Sequence, residues 1–338
     1  MNLAHVKSIH TFKAQEIHMR DPFIFADVKR KLYFLFGTTR VCDGAANIDP
    51  HFEVFMSSDL INFEGPYAAF MPEKGFWGVK HFWAPEVHEF MGKYYMFVSC
   101  KGGIGEDRGT GLLVSNTPEG PYKDYSKGHV TLKGHECLDG TLFIDDEDKP
   151  WIVFCHEWTE IFYGKICAFP LGDDLMPETQ VPITLVDTEK DALPWMRKMH
   201  DPRVEKKGYL TDAPFLYRAQ NGDLLLMWSS YSIKGYKDKG QGMYAVALAR
   251  SKTGKLSGPW QHEKELLLDA NIGHCSLFHD FNGRLILCGH ANDTLHGSEY
   301  PVFIPLRENF EGIAVETENL FEKKDIGNDR LYKHRTRL

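Results

Sequence analysis

The sequence predicts an all-β protein, and within that class a five-bladed β-propeller with four-stranded antiparallel blades. Three observations support this fold. A unit of two apolar strands joined by a polar turn occurs five times along the chain, and a short polar or aromatic segment opens each unit. In three of the units, a third strand runs into a Gly-Pro-aromatic turn. No long stretch shows the period of an amphipathic helix.

The two strands of each unit are short apolar segments that we expect to form the inner hairpin of a blade. Glycine, asparagine, aspartate or charged residues separate the strands, and these residue types suit tight turns. The five pairs are 23–26 with 32–37, 87–90 with 94–99, 141–144 with 151–155, 214–218 with 224–229, and 276–279 with 285–288.

The opening segments repeat at similar distances. They begin at Asp21, Trp83, Asp139, Asp212 and His274, which are 62, 56, 73 and 62 residues apart. Three third strands run into the turns Gly65-Pro66-Tyr67, Gly120-Pro121-Tyr122 and Gly258-Pro259-Trp260, whose aromatic residue opens a fourth strand. Two packed β-sandwich domains would not explain why the opening segment falls at the same place in every unit. We therefore expect one propeller domain over residues 1–338.

Composition argues against several classes of protein. With 43% hydrophobic and 13% aromatic residues the chain can bury a full core, and its net charge of −8 argues against a nucleic-acid partner. No apolar run approaches the ~18 residues of a membrane span, and residues 1–17 lack the apolar segment of a signal peptide. We expect a cytoplasmic protein, or a mature secreted or periplasmic form whose leader has been removed. The seven cysteines contain no CxxC pair, which argues against zinc or redox chemistry.

Three opening segments carry a carboxylate, at Asp21, Asp139 and Asp212. The innermost strands of a propeller run along its axis, so residues at their starts converge at one mouth of the axial funnel. Carboxylates close together raise the pKa of at least one of them, which separates an acid from a base. Glycoside hydrolysis uses such a pair. The alternative for each aspartate taken alone is a turn or capping role, which is common before Pro or Gly.

Five further residues are candidates for contacts with a sugar: Trp83, Glu86, His156, Glu157 and His290. Aromatic rings suit the apolar C–H face of a sugar. Glu86 could equally be a solvated or structural acid, and the two histidines and Glu157 could be ordinary residues at strand ends. His274 is either a buried histidine with satisfied hydrogen bonds or a residue that holds a water or an ion on the axis.

Five motifs follow one another along the chain. They are Arg20-Asp21-Pro22-Phe23-Ile24, Phe82-Trp83-Ala84-Pro85-Glu86-Val87, Ser115-Asn116-Thr117-Pro118-Glu119-Gly120-Pro121-Tyr122, Asp139-Gly140-Thr141 and Gly273-His274-Cys275-Ser276. This ordered set resembles glycoside hydrolase family 43, and the resemblance extends over roughly residues 18–305. It implies a five-bladed propeller and hydrolysis with inversion, typically of α-L-arabinofuranosides and β-D-xylosides in plant polysaccharides.

The resemblance also implies roles for single residues. Asp21 matches the general base that activates water, and Asp139 matches the residue that orients the acid and tunes its pKa. His274 matches an axial histidine that lies near a bound calcium or sodium ion in many members, and no other cofactor is implied. The expected partner is an arabino- or xylo-oligosaccharide.

The fourth opening segment departs from the family, which usually has Glu-Gly-Pro where this chain has Asp212-Ala213-Pro214. Aspartate is one methylene shorter, so its carboxyl group would lie ~1.5 Å further back on an unchanged backbone. A general acid must come within hydrogen-bond reach of its oxygen. Asp212 is the first candidate for this acid, with Asp191 and Glu157 as substitutes.

Two other functions are alternatives. One is a different propeller enzyme, either a retaining fructan-type hydrolase, whose Asn-Asp-Pro-Asn-Gly stretch is missing here, or a glycoside phosphorylase. The other is a non-catalytic carbohydrate-binding propeller, which the aspartate at position 212 favours. The sugar, the linkage and exo or endo action depend on the walls of the funnel, which we expect segments 40–51, 101–110 and 156–163 to form.

Overall fold

A computed structural model of the chain describes residues 10–43, 49–202, 205–234, 243–293 and 297–316. In these ranges, 21 of the 23 strands form five sheets around an axis, and the innermost strand of each sheet contacts that of the next. The predicted five-bladed β-propeller is therefore confirmed. The predicted domain of residues 1–338 includes the terminal residues 1–9 and 317–338, which lie outside the described ranges.

Each blade is an antiparallel sheet whose strands follow the chain from the axis outward. Blade 1 has β2 (Met19–Asp27), β3 (Leu32–Thr39), β4 (Phe52–Ser57) and β5 (Asn62–Phe70), with β1 (His10–Lys13) on its outer edge. Blade 2 has β6 (Lys80–Phe90), β7 (Lys93–Lys101), β8 (Arg108–Ser115) and β9 (Lys123–His129). Blade 3 has β10 (Cys137–Ile144), β11 (Pro150–His156), β12 (Lys165–Pro170) and β13 (Ile183–Asp187).

Blades 4 and 5 follow the same order. Blade 4 has β16 (Asp212–Arg218), β17 (Leu224–Ser232), β18 (Met243–Ser251) and β19 (Trp260–His262). Blade 5 has β20 (Ile272–His279), β21 (Leu285–Ala291), β22 (Tyr300–Asn309) and β23 (Gly312–Val315). Blade 1 departs from the predicted four strands, because β1 turns back through the 3-10 turn Ala14–Glu16 and pairs with β5.

Little of the described chain lies outside the blades. A hairpin of β14 (Met199–Asp201) and β15 (Lys206–Gly208) lies between blades 3 and 4, and a second 3-10 turn spans Arg40–Asp43. The one α-helix among the described residues, α1 (Trp158–Ile161), has four residues and follows β11. No helix in the described ranges is long and apolar enough to span a membrane.

Five hydrophobic clusters form the core, one at each interface between neighbouring blades. The alternation of side chains along a strand explains this arrangement. In β3, Phe34 and Phe36 face blade 2, whereas Tyr33 and Leu35 face blade 5. Because both faces of the sheet are covered, inner strands read as continuous apolar runs rather than as an alternating pattern.

Contacts between blades 1 and 5 close the ring. The Tyr33 hydroxyl accepts a hydrogen bond from the Phe281 N–H at 3.0 Å, and the two rings stack with centroids 3.9 Å apart. The Met19 N–H donates to the Glu299 carbonyl at 3.0 Å. The guanidinium of Arg20 forms ion pairs with Asp293 and with Glu299, the latter at 2.9 Å. The first and last blades are therefore joined by side-chain and backbone hydrogen bonds rather than by a shared sheet.

Every innermost strand carries a β-bulge at its start, where two residues oppose one residue of the second strand. The first residue of each bulge has a positive φ angle: Asp21 (51°), Ala84 (45°), Asp139 (53°), Ala213 (45°) and His274 (47°). The equivalent positions of the five repeats are therefore set by the bulge. Trp83 and Asp212, which the sequence pattern had aligned with the other openings, lie one residue earlier.

The N–H group of each bulge residue reaches across to the preceding blade. In four blades it donates to a side chain of the second strand of that blade: Asp21 to His290 Nδ1 (3.1 Å), Ala84 to Thr38 Oγ1 (2.8 Å), Asp139 to Ser99 Oγ (2.8 Å) and His274 to Ser229 Oγ (3.0 Å). These bonds satisfy backbone groups that the bulge removes from the ladder, and they fix each innermost strand against its neighbour.

Blade 4 obtains this bond in a different way. The residue of blade 3 at the corresponding place, opposite Leu138, is Cys155, a buried thiol that is a poor acceptor. The Ala213 N–H instead donates to Asp139 Oδ2 at 3.2 Å. A carboxylate therefore replaces a second-strand side chain in this position, and the bond aims Asp139 toward blade 4.

We expect Tyr33→Phe to lower the free energy of unfolding by about 1–2 kcal/mol, because the Phe281 N–H loses its acceptor while the stacked rings remain. Tyr125→Phe is the matched control, since it removes a hydroxyl that donates to the Asp174 carbonyl in an exposed place, and we expect a change within about 0.5 kcal/mol. Urea unfolding of the three proteins measures both values. Equal effects of the two changes would show that the hydrogen bond between Phe281 and Tyr33 contributes no more to the free energy of unfolding than an exposed hydrogen bond does.

We expect the folded protein to lose stability as the pH decreases from 6.5, because His290 stays neutral in the folded chain. Burial, followed by the positive charge of Arg20, lowers the pKa of His290 to about 3. Below pH 6.5 the unfolded chain therefore binds a proton that the folded chain does not, which costs about 1.4 kcal/mol of stability per pH unit. In His290→Asn the amide oxygen can still accept the Asp21 N–H but does not titrate.

Urea unfolding at pH 6.5, 5.5 and 4.5 tests this expectation. Between pH 6.5 and 4.5 the original protein should lose about 2–3 kcal/mol more stability than His290→Asn. Parallel pH profiles for the two proteins would mean that His290 is not held neutral.

Candidate active site

The three predicted acids meet at the start of the innermost strands, around the imidazole of His274. The Nδ1 atom of His274 lies 3.2 Å from Asp21 Oδ1, 3.6 Å from Asp212 Oδ1 and 3.8 Å from Asp139 Oδ2. Blades 1, 3, 4 and 5 each contribute one of the four residues. The structure thus brings together residues that are more than 250 positions apart in the chain.

The four side chains differ in how much surface they expose. Asp21 and Asp212 each keep 11% of their side-chain surface, whereas Asp139 keeps 3% and His274 keeps 6%. Asp21 and Asp212 are therefore the acids that a ligand at the mouth could touch. Asp139 and His274 lie beneath them as support.

Two neighbours orient Asp21. The Thr38 hydroxyl donates to Asp21 Oδ2 at 2.7 Å, and this hydroxyl also accepts the Ala84 N–H of blade 2. The backbone of Asp21 is held by His290, whose Nδ1 accepts the Asp21 N–H. The direction of the carboxylate is therefore set by blades 1, 2 and 5 together.

Asp139 and Asp212 behave as a coupled pair. Burial, and then the negative charge of Asp212, raise the pKa of Asp139 well above its usual value. Burial alone would also raise the pKa of Asp212, but hydrogen bonds from Asp139, His274 and the Tyr244 hydroxyl hold it below its usual range. The pair therefore shares one proton, which resides on Asp139 and is donated toward Asp212.

His274 balances the charge of the cluster. Burial opposes a charged imidazole, but the negative charges of Asp21, Asp139 and Asp212 raise the pKa of His274 to about 10. The ring is therefore an imidazolium near neutral pH, and its Nδ1–H points at the carboxylates.

The calcium or sodium ion predicted beside His274 stays a prediction. Donor atoms of Asp139, Asp212 and His274 lie within 4.8 Å of one another, but the Nδ1–H of His274 already faces these carboxylates. An ion on His274 would therefore use the other ring nitrogen. Water molecules would complete its shell, because hard cations take six or more oxygen ligands.

One wall of the mouth consists of Trp83, His81, Arg108 and Glu157. The rings of Trp83 and His81 stack with centroids 4.4 Å apart, and the Arg108 guanidinium lies 4.7 Å from the centre of the Trp83 ring. Arg108 also donates to Glu157 Oε2 at 2.8 Å. Burial raises the pKa of Glu157, and the negative charge of Asp212 adds to this rise.

Three of the predicted residues lie away from the exposed mouth. His290 is completely buried beneath Asp21, and Glu86 is 7% exposed and pairs with His88 at 3.2 Å in the interface of blades 1 and 2. Asp191 accepts the Asp187 N–H at the end of the outermost strand of blade 3, near His262 of the outermost strand of blade 4. The predicted contacts of Glu86 and His290 with a sugar, and the role of Asp191 as an acid, do not fit these positions.

Other predictions concern the rim of the mouth. His156, the last residue of β11, faces Glu160 at 3.0 Å, next to the wall that Glu157 helps to form. Segments 101–110 and 156–163 contain Arg108 and Glu157, which form an ion pair beside Trp83, whereas residues 44–48 of segment 40–51 lie outside the described ranges.

Four residues of the site were not predicted from the sequence: Thr38, His81, Arg108 and Tyr244. Tyr244 could have been found as a residue with a hydroxyl group near the start of β18, where the neighbouring residues are apolar. Thr38 could have been found because Ser99 and Ser229 are polar residues at the same place in the second strands of blades 2 and 4. His81 and Arg108 carry no signal of their own, because their contact is made between the start of β6 and a strand 27 residues later.

A sequence profile described as Glycosyl hydrolases family 43 matches residues 15–303. The extracellular exo-α-(1→5)-L-arabinofuranosidase ArbA of Cellvibrio japonicus is 24% identical over 307 residues, which cover 86% of this chain and 79% of that protein. The crystal structure of an endo-arabinase from Bacteroides thetaiotaomicron superposes with a TM-score of 0.78 and 35% identity, covering 88% of this chain and 97% of that chain.

A more distant structure shows the same fold. An endo-1,4-β-xylanase from Bacteroides thetaiotaomicron is 23% identical, with a TM-score of 0.67, and the match covers 91% of this chain and 97% of that chain. The profile match covers most of the chain and includes Asp21, Asp139, Asp212 and His274. The resemblance inferred from the motifs is thus confirmed, and the chain belongs to glycosyl hydrolase family 43.

Proposed function

We propose that the protein hydrolyses α-L-arabinofuranosyl or β-D-xylosyl linkages of plant polysaccharides or oligosaccharides, with inversion at the anomeric carbon. The observation that carries this proposal is the meeting of three carboxylates around one imidazolium at the mouth of the propeller. Such a cluster provides an oriented base and a proton donor in one pocket, which is what glycoside hydrolysis requires.

Asp21 is the proposed general base. Thr38 and His274 fix the directions of its two oxygens, and the exposed part of the carboxylate can accept a proton from a water molecule at the mouth. This water would attack the anomeric carbon on the face opposite to the leaving group, which gives inversion.

Asp212 is the proposed general acid, and Asp139 supplies its proton. Asp212 has the greater exposed surface of the pair and can approach the leaving oxygen, while Asp139 below it holds the shared proton in the resting cluster. Transfer through Asp212 therefore combines access to the substrate with a stored proton.

Glu157 is the alternative general acid, because the aspartate at position 212 is one methylene shorter than the usual glutamate. Asp21 Oδ1 and Asp212 Oδ1 both lie within 3.6 Å of the same nitrogen, so these two oxygens are at most about 7 Å apart. Inverting enzymes typically separate their two carboxyl groups by ~6.5–9.5 Å. Glu157 belongs to the wall rather than to the His274 cluster and would leave more room for the sugar.

The proposed substrates rest on the wall and on the relatives. The partly exposed ring of Trp83, held between His81 and Arg108, offers an apolar face to sugar C–H groups. ArbA and the endo-arabinase are named for the cleavage of arabinose linkages, and the more distant structure is named for xylan. We therefore place arabinofuranosyl linkages first and xylosyl linkages second.

A carbohydrate-binding propeller without catalysis is the second candidate. The three donors that hold the Asp212 carboxylate in its ionised form favour it, because they oppose protonation of the residue in the position of the acid. Binding of arabino- or xylo-oligosaccharides without hydrolysis of any activated glycoside would support this candidate. A requirement for inorganic phosphate would instead indicate a glycoside phosphorylase.

We expect Asp21→Asn to lower kcat for nitrophenyl α-L-arabinofuranoside or β-D-xyloside by about 10²–10⁴-fold, because the amide cannot accept the proton of the water. Asp146→Asn, a change of an exposed carboxylate far from the mouth, is the matched control and should retain full activity. Circular dichroism should show that both variants fold. Unchanged turnover in Asp21→Asn would remove this residue from the mechanism, and proton NMR of the first sugar released should show the inverted anomer.

Leaving-group dependence distinguishes the two candidate acids. A dinitrophenyl glycoside departs without protonation, whereas a sugar does not, so loss of the acid should matter mainly for oligosaccharides. We expect Asp212→Asn to reduce kcat for an arabino-oligosaccharide at least 100-fold more than for the dinitrophenyl glycoside. Glu157→Gln should affect both substrates alike. The opposite pattern would assign the proton donor to Glu157, and equal losses for both substrates in both variants would exclude the two residues.

A further inference from the structure

A group of metal-binding side chains that the proposed reaction does not use lies on the rim of blade 3. His135 precedes β10, His156 is the last residue of β11, and Glu160 lies on α1. The antiparallel pairing of Cys137 with His156 brings these segments together. Cys137 lies two residues before Asp139 in the chain. The three side chains expose 47%, 13% and 31% of their surface, respectively, so an ion could reach them from solvent.

The donor atoms of the three side chains already face one another. His135 Nδ1 lies 3.0 Å from Glu160 Oε1, and His156 Nε2 lies 3.0 Å from Glu160 Oε2. All three donor groups fall within 4.8 Å of one another. Ligand atoms of a tetrahedral zinc ion, with bonds of ~2.0–2.1 Å, are ~3.3 Å apart, so small shifts of the side chains would admit the ion.

Neighbouring bonds hold these ligands in place. The Glu136 N–H donates to Glu160 Oε2 at 2.8 Å, and the Glu136 carbonyl accepts the Glu157 N–H at 2.9 Å. Hydrogen bonds of this kind orient the carboxylate ligands of metal sites. Burial lowers the pKa of His156, which favours the neutral ring that a metal ligand requires.

We propose that His135, His156 and Glu160 bind one divalent transition-metal ion of the zinc type, with a water molecule in the fourth position. Two imidazoles and one carboxylate suit zinc and its neighbours in the series, whereas calcium and magnesium prefer oxygen ligands alone. The absence of a CxxC pair, which argued against zinc in the sequence, does not bear on a site made of histidine and glutamate. This ion is distinct from any hard cation beside His274.

The site would couple metal binding to the wall of the mouth. Glu160 and the N-cap residue Glu157 belong to the same helical turn, and Glu157 Oε1 accepts the Thr159 N–H at the start of α1. An ion that holds Glu160 against blade 3 therefore restrains the turn that carries Glu157. Metal binding should raise the thermal stability of the folded chain.

Titration of the whole, tag-free chain tests this proposal. After dialysis against EDTA, isothermal calorimetry with zinc chloride should show one site, and the melting temperature should rise with zinc. Cobalt(II) should bind at the same site and give the visible absorption of a tetrahedral ion. Calcium chloride is the probe for the opposite class, and a response to calcium but not to zinc would overturn the proposal.

Variants locate the ion. His135→Ala changes an exposed side chain and is not expected to disturb folding, and Glu160→Gln keeps the size of the side chain. Each should weaken zinc binding at least tenfold and abolish the rise in melting temperature. His200→Ala is the matched control and should bind zinc as the original chain does, because it breaks an exposed His–Glu pair at 3.2 Å that belongs to no group of three metal-binding side chains among the described residues. Unchanged zinc affinity in both His135→Ala and Glu160→Gln would overturn the proposal.

Discussion

Three carboxylates in one largely buried cluster repel one another, and the positive charge of His274 is what makes the arrangement stable. Its Nδ1–H faces all three acids, and their charges in turn keep the ring protonated, with a pKa of about 10. The remaining repulsion is relieved by one proton shared between Asp139 and Asp212. Asp21 is held separately, by the Thr38 hydroxyl and by His274. The cluster therefore contains one pair of acids that shares a proton and a third acid with partners of its own.

The backbone makes this cluster from a repeat that is not itself catalytic. All five blades begin with the same bulge, and its positive φ angle turns the first bulge residue toward the axis, whether that residue is Asp, Ala or His. Function arises where the repeat is broken. Because Cys155 cannot take the N–H of the next bulge, Asp139 accepts it, and the carboxylate is drawn toward blade 4 and Asp212. A local exception in hydrogen bonding thus couples two acids of neighbouring blades.

The fold and the identity of the central acids could be predicted from sequence, because the period of the repeat alone determines which residues reach the axis. The one-residue offset of Trp83 and Asp212 could not, since a positive φ angle leaves no mark in a pattern of polar and apolar residues. The complete burial of His290, whose Nδ1 accepts the Asp21 N–H, could not be predicted either, because a polar residue at a strand end can face solvent or the core. The role of Arg108 could not be predicted from sequence either, because it arises from contacts with Trp83 of blade 2 and Glu157 after the second strand of blade 3.

The aspartate at position 212 changes how the proton is stored rather than removing the proton from the site. Tyr244 donates to its Oδ2, and His274 and Asp139 lie on its other side, so the carboxylate is favoured over the acid at this position. The proton stays in the cluster, on Asp139, because burial and the negative charge of Asp212 raise the pKa of Asp139. When a leaving oxygen approaches Asp212 and becomes basic, it competes with this carboxylate for the same proton. In the proposed reaction, Asp139 and Asp212 therefore act as one acid whose strength depends on Tyr244, a buried residue that donates to Asp212.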